Sequence, residues 1–416
     1  MKIPAHIIDM VHQSMGLSGN PGSHRVVCAM SGGVDSSVAA ALLKHAGYDV
    51  VGITLQLYDH GEAIRRKGAC CAGQDIHDAR RVAAALDIPH YVLDFESRFR
   101  EAVIDDFVES YIQGATPIPC VKCNQTVKFA DLLWRAKELG GSALATGHYV
   151  DSVAAGQGRQ LRTPADMARD QSYFLFATTQ EQVNYLRFPL ARLTKAETRA
   201  VATDLGLMVA DKPDSQDICF VPDGNYSGFI DRYLEHENRE NEIPDKGEIV
   251  NQQGKVLGEH TGIHRYTIGQ RRGLGIAHEK PLYVVKIERL KNQIIVGEKE
   301  ELGSLEFIAK GVNWVKFDEP NEPVRALVKV RYRHEPAPAT IHALPDAHAR
   351  IVFDEPQDAI TPGQATVFYD VETGEEVVGG KSQEEDWQDI TRYSDGPCVV
   401  IPVGVLPGQR GAFTGF

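Results

Sequence analysis

Short apolar runs alternate with longer amphipathic stretches through the first half of the chain. VVCAM at 26–30, VVGITLQL at 50–57, HYVLDF at 90–95 and ALATGHY at 143–149 read as buried strands. Between them, residues 38–44 close on Gly47, residues 75–86 carry apolar positions at helical spacing, and residues 127–139 end at Gly140 and Gly141. Such alternation buries a sheet between helical layers, so residues 25–221 are expected to form an α/β domain with a doubly wound, mainly parallel sheet. A further helix is expected over 194–205, just before the loop ADKPDSQDICF.

From about residue 222 the pattern changes. Polar runs such as HENRENE and frequent glycines predict a small linker domain over 222–300. Beyond it FIAKGVNWV, VRALVKVRYRH, ATIHAL, ARIVF and ATVFYD are short strands at close spacing, the pattern of a C-terminal antiparallel β-barrel over 301–382. Residues 1–24 are read as an N-terminal extension and 383–416 as a C-terminal tail, in which CVVIPVGV offers one more strand.

Composition narrows the class. With 416 residues, 43% of them hydrophobic, the chain exceeds what one core needs. No run approaches the ~18 apolar residues of a membrane span, and the first 24 residues lack a signal peptide's apolar block, so the expectation is a cytoplasmic protein without membrane association. A net charge of −13 argues against a surface coated for nucleic acid but permits a local basic face. Seven cysteines, an odd number, point to thiol chemistry or metal binding rather than a disulfide scaffold.

The strongest local feature is SGGVDSS at 31–37, between a strand and a helix. Adjacent glycines let backbone amides approach an anion, and the helix N-terminus adds unpaired N–H donors. No lysine stands in the loop to reach a terminal phosphate; Asp35 and hydroxyls stand there instead, which suits pyrophosphate with magnesium near Asp35.

Two thiols stand out. Cys123, in TPIPCVKCNQT, precedes a helix expected from about Thr126 and has Lys122 beside it, two features that favour thiolate. CxxC is also the spacing of a zinc half-site or of two buried thiols, although no second such pair completes four ligands. Cys219 lies in a polar loop between Pro213 and Pro222. A persulfide on one cysteine, resolved by the other through a disulfide, would deliver sulfur to an activated carbon. Vicinal Cys70 and Cys71 are read as structural, Cys28 and Cys398 as packing residues.

SGGVDSS resembles the PP-loop of the ATP pyrophosphatase superfamily, whose members cleave ATP to AMP and pyrophosphate. The resemblance implies that Ala29, Met30, Ser31, Gly32, Gly33, Val34, Asp35 and Ser36 hold the phosphates, that Leu55 contacts adenine and that Gly147 lies beside the nucleotide. Over roughly residues 25–382 the chain resembles the tRNA-specific 2-thiouridylases, through VVCAMSGGVDSSVAAALL, TPIPCVKCNQTVKF, LATGHYV, ARDQSYFL, KPDSQDICFV, YTIGQRRGLGI and ITPGQATVFYD. That resemblance implies Cys123 as nucleophile, Cys219 as persulfide carrier, and Arg169, Asp170, Gln171, Arg331 and Tyr332 as contacts to tRNA. It also implies ATP and Mg²⁺ as cofactors, and a cysteine desulfurase or sulfur-relay protein as partner.

One departure matters: where many relatives have Asn-Pro-Asp, this chain has Ile118-Pro119-Cys120. Cys120, Cys123 and Cys219 could therefore hold a [4Fe–4S] cluster, an alternative chemistry. A PP-loop amide ligase and an RNA-binding module without catalysis are the remaining rivals. For RNA, residues 324–334 alternate so that Arg325, Lys329, Arg331 and Arg333 share one face, and Arg265, Arg271 and Arg272 flank glycines.

Overall fold

The computed structural model describes residues 3–58, 71–156, 158–214, 217–316, 320–380 and 400–402. The chain divides into two units, one of residues 1–103, 120–222 and 375–377, the other of 104–119, 223–374 and 378–416.

In the first unit, Arg25–Ala29 (β1), Asp49–Gln56 (β2), His90–Asp94 (β3) and Ala143–Ala145 (β4) are the predicted strands. The fourth stops before Thr146, so residues 146–149 are free to leave the sheet. Asp151–Ala155 (β5) and Gly158–Arg162 (β6) form a hairpin, and Leu186–Arg187 (β7) joins the main sheet. Its order is β3-β2-β1-β4-β7 and every pairing is parallel. The chain grows outward from β1 to β3 and then returns to β4 on the other side. The strand order therefore reverses between β1 and β4, and the carboxyl ends of such neighbours form the crevice where α/β sheets take ligands.

Helices cover this sheet. Ala5–Met15 (α1) buries Ile7, Val11 and Met15, spaced four apart, in the core of the first unit. The residues expected to be an appended extension are thus part of the domain, tied down further by hydrogen bonds from Arg187 Nε to the Met15 carbonyl (2.5 Å) and from Arg192 to Gln13 (3.0 Å). Val34–His45 (α2) is buried almost all round, with residues 38–43 fully inaccessible. Its run Ala39-Ala40-Ala41 has no bulk to hold neighbours away. Cys71–Ala85 (α3) and Pro119–Cys123 (α4) follow, the latter continued by a π-helical stretch, Asn124–Asp131. Lys195–Asp204 (α5) starts at a capping box in which Thr194 and Glu197 satisfy each other's backbone N–H groups.

The second unit holds two sheets. Gly247–Asn251 (β8), Val256–His260 (β9), Tyr283–Glu288 (β10) and Gln293–Gly297 (β11) form one, in the order β10-β11-β8-β9. Helices Asp105–Ile112 and Tyr226–His236 pack together through Tyr111 on Tyr226, stacked at 5.0 Å, and Phe107 on Phe229 at 6.2 Å. Gly303–Lys310 (β12), Val324–Lys329 (β13), Ala337–Leu344 (β14), His348–Asp358 (β15), Val367–Asp370 (β16), Val377–Gly380 (β17) and Val400–Pro402 (β18) make a seven-stranded sheet. Its order is β17-β16-β13-β14-β15-β12-β18, over a core that includes Phe307, Trp314, Ile341, Phe353 and Phe368. The strand expected in CVVIPVGV is β18, parallel to β12. Among the described residues no helix is long and apolar enough to cross a membrane.

Candidate active site

The loop leaving β1 is fixed from within. Ser31 donates its backbone N–H to Ser36 Oγ (3.1 Å), Ser36 Oγ donates to the Gly33 carbonyl (3.2 Å), and Ser37 Oγ donates to the same carbonyl (2.8 Å). Gly33 caps α2 without any side-chain bond, so the first N–H groups of a 12-residue helix stay available to an anion. Gly32 has φ +76°, and a Cβ there would lie 2.1 Å from the Asp75 carbonyl oxygen. From the end of β4, Gly147 closes the crevice against the start of α2; a Cβ on it would stand 2.7 Å from Ser36 N. Leu55, near the end of β2, is half-buried and pairs with Leu93.

The cations missing from the loop's own sequence arrive from elsewhere. Lys195, the first residue of α5 and 8% exposed, places Nζ 2.6 and 2.7 Å from the Asp35 carboxylate and 2.8 Å from Asp214. The single hydroxyl of Tyr149 lies within hydrogen-bond reach of both Thr198 Oγ1 (2.9 Å) and Asp35 (3.3 Å). Lys212 Nζ donates to the Gly32 carbonyl (3.0 Å) and to the carboxylates of Asp75 and Asp78, each at 2.7 Å. Partial burial works against the charge on Asp214, yet the hydrogen bond and charge of Lys195, with Arg199 and Arg169, more than offset it and hold the carboxyl below its ordinary range. The pairings of Asp35 with Tyr149 and Lys195, and of Lys212 with Gly32, Asp75 and Asp78, are not visible in the sequence, because each joins segments more than a hundred residues apart.

Cys123, Cys120 and Cys219 are free thiols, the first buried and the others exposed. They bear on one another electrostatically: ionising Cys123 or Cys120 raises the pKa of Cys219. Cys123 is the last residue of α4, not the residue before a helix starting near Thr126, so it lacks the free N–H donors expected for it. Burial instead pushes its thiol up to about 11; Cys120 and Cys219 reach solvent, but the protein packed around them excludes enough water to raise their thiols too. Lys128 opposes this at all three thiols, a cation that adjacency to Cys123 in the sequence does not indicate. A hydrogen bond from Tyr58 also eases ionisation of Cys219. His148 sits in the same surroundings: burial, then Lys128, lowers it to about 3, so it is neutral.

Among the described residues no group of three or more His, Cys, Asp or Glu is arranged to hold a metal ion. Cys120, Cys123 and Cys219 are not among such groups, so the geometry lends the [4Fe–4S] alternative no support. Magnesium makes a lesser demand, since it is held by one or two carboxylates together with substrate phosphates, and the partly exposed Asp35 at the head of α2 fits that role.

Comparison with known proteins agrees with this geometry. Family models described as tRNA methyl transferase HUP domain, tRNA methyl transferase PRC-barrel domain and aminomethyltransferase β-barrel domain match residues 24–223, 228–298 and 304–381. The chain is 54% identical over 366 residues to the tRNA-specific 2-thiouridylase MnmA of Maricaulis maris, covering 88% of this chain and 89% of that one. It is 55% identical to the enzyme of the same name from Parvibaculum lavamentivorans, covering 88% and 92% of the two chains, and 55% identical to that of Caulobacter vibrioides, covering 87% and 95%. The chain belongs to the tRNA-specific 2-thiouridylases.

The residues that the 2-thiouridylase resemblance marks for tRNA are unequally placed. Arg169 is exposed, with one guanidinium nitrogen 3.0 Å from Asp214. Asp170 is buried, and its Oδ1 accepts the Ser172 backbone N–H (2.9 Å); Gln171 Oε1 accepts the Tyr149 N–H (2.8 Å). Both side chains thus shape the segment entering the site. Arg331 is half-buried and donates to the Ile268 carbonyl (2.8 Å) and to Thr361, holding the GQRR turn, while Lys329 lies over the Tyr332 ring at 5.7 Å.

The expected basic face is correspondingly smaller. The alternation holds in β13, where Ala326 and Val328 are buried and Arg325 exposed, but the strand ends at Lys329. Arg325 is held by Asp354 through two contacts of 2.7 Å, and Arg265 by Asp231 at 2.7 Å. Arg271 and Arg272 are exposed. Cys28 is buried in β1, as expected of a packing residue. Cys70, the side chain of Cys71, and Cys398 lie outside the described residues.

Proposed function

We propose that this chain is an ATP-dependent sulfurtransferase of the cytoplasm that converts uridine to 2-thiouridine in tRNA, at the wobble position. Asp35 would hold magnesium, which shields phosphate charge, while the amides of residues 31–36 and the head of α2 orient the triphosphate so that uracil O2 attacks the α-phosphorus and pyrophosphate leaves. Adenylation turns a poor leaving oxygen into AMP.

The sulfur step uses both thiols. The terminal sulfur of a Cys219 persulfide attacks C2 and AMP departs with the former O2. Cys123 then loses its proton and attacks Cys219 Sγ; the Cys219–sulfur bond breaks, its electron pair stays with the sulfur on C2 as the thiocarbonyl, and a Cys123–Cys219 disulfide forms. A cellular thiol must reduce that disulfide, and a cysteine desulfurase or sulfur-relay protein must reload Cys219. Exposed Cys219 is suited to receive sulfur from a partner, and buried Cys123 to act once the substrate is in place. Lys128 favours the thiolates that both steps need.

The observation that carries this reading is the convergence of Cys123, Cys219 and Lys128 in the unit that also holds the SGGVDSS loop. Incubation with ATP, magnesium, unmodified tRNA, a cysteine desulfurase with cysteine, and a reducing thiol should form AMP, pyrophosphate and 2-thiouridine in equal amounts. AMP and pyrophosphate released without 2-thiouridine, and equally without either cysteine, would favour the amide-ligase reading instead.

A further inference from the structure

The segment leading to Cys219 is anchored on the nucleotide loop at two points. Lys212, seven residues before Cys219, joins the Gly32 carbonyl (3.0 Å) to Asp75 and Asp78 at the start of α3 (2.7 Å each). Asp214, five residues before Cys219, shares Lys195 with Asp35: Nζ lies 2.8 Å from the one carboxylate and 2.6 Å from the other. Arg199 at 2.8 Å and Arg169 at 3.0 Å also pair with Asp214.

We propose that Lys195 and Lys212 are positioning residues that couple occupancy of the nucleotide loop to the reactivity of Cys219. Lys195 is almost inaccessible, so its charge must be matched by protein carboxylates or by ligand oxygens. When magnesium and phosphates engage Asp35, that carboxylate divides its charge among more cations and Lys195 redistributes toward Asp214 or the phosphates. Either change acts on the backbone five residues from the sulfur-carrying thiol. Lys212 acts in parallel, since its acceptor at Gly32 is itself a loop carbonyl. The functional sense of the coupling, sulfur offered only when a base can be adenylated, rests on Cys219 being the persulfide carrier.

The test uses the full chain: iodoacetamide labelling of Cys219, followed by peptide mass spectrometry, with and without magnesium and a saturating non-hydrolysable ATP analogue. In the wild type the analogue should change the Cys219 labelling rate by about fivefold or more. Lys195→Met and Lys212→Met should lose that response, and Lys195→Arg should restore it. Asp214→Asn removes the same link from its other end and serves if Lys195→Met does not fold. Wild-type labelling indifferent to the analogue, or a full response in Asp214→Asn and Lys212→Met, would overturn the coupling. Labelling does not depend on sulfur transfer, so 2-thiouridine formation by Cys219→Ser would overturn the carrier role alone.

Discussion

Gly147 approaches the start of α2 so closely that its missing side chain defines the crevice: an added Cβ would lie 2.7 Å from Ser36 N and 2.9 Å from Ser36 Cα. Both neighbours are backbone atoms at a helix end, which cannot rotate away. Gly147→Ala should displace the loop and lower kcat/KM for ATP by about a hundredfold, with a smaller effect on tRNA affinity. Steady-state kinetics with each substrate varied separately check this, and an unchanged kcat/KM for ATP would mean the crevice does not hold the nucleotide.

Lys128 bears on Cys120, Cys123 and Cys219 alike. Because the Cys123 thiol is raised to about 11, its thiolate share, and with it the alkylation rate, should climb about tenfold per pH unit up to that value. An ammonium lowers a thiol pKa, so Lys128→Met should raise it further, slow alkylation at pH 8 and move the profile to higher pH. Lys122→Met should leave the profile in place. A shift caused by Lys122→Met rather than by Lys128→Met would reassign the activating cation.

Met15 is fully buried although it belongs to a segment whose sequence reads as an appendage. Met15→Ala should lower the unfolding free energy by about 2 to 5 kcal/mol, the cost of emptying a core site. Urea denaturation measures it, and an unchanged midpoint would place α1 outside the cooperative unit.

The charge distribution gives a prediction for RNA. Arg271→Ala and Arg272→Ala should each weaken tRNA binding and reduce the slope of log affinity against log salt by about one. Arg325→Ala should do neither, because Asp354 already occupies that guanidinium. Binding titrations at several salt concentrations separate the two cases.

What the sequence made legible was what local chemistry dictates. The strand, glycine turn and helix of residues 26–45 follow from residues adjacent in the chain, and so does the parallel sheet they begin. The N-terminal helix was legible too, through Ile7, Val11 and Met15 at intervals of four, but its position outside the family resemblance hid it. The pairings of Lys195 with Asp35 and of Lys212 with Gly32, Asp75 and Asp78 are not legible in the sequence, since each spans more than a hundred residues. The position of Cys123 differs from the sequence expectation for a local reason: α4 begins at Pro119, where proline suits the first turn, and runs into a π-helical stretch, which puts the thiol inside the helix instead of at its head.

In the proposed reaction Cys219 carries the sulfur and Cys123 releases it onto an adenylated uridine. The most direct measurement is nucleoside analysis of tRNA after single-turnover incubation with ATP, magnesium and a cysteine desulfurase, comparing the wild type with Cys123→Ser and Cys219→Ser. The wild type alone should form 2-thiouridine, and Cys123→Ser should hold tRNA covalently on Cys219 by a reducible disulfide linkage. Undiminished 2-thiouridine in both variants would contradict that reaction.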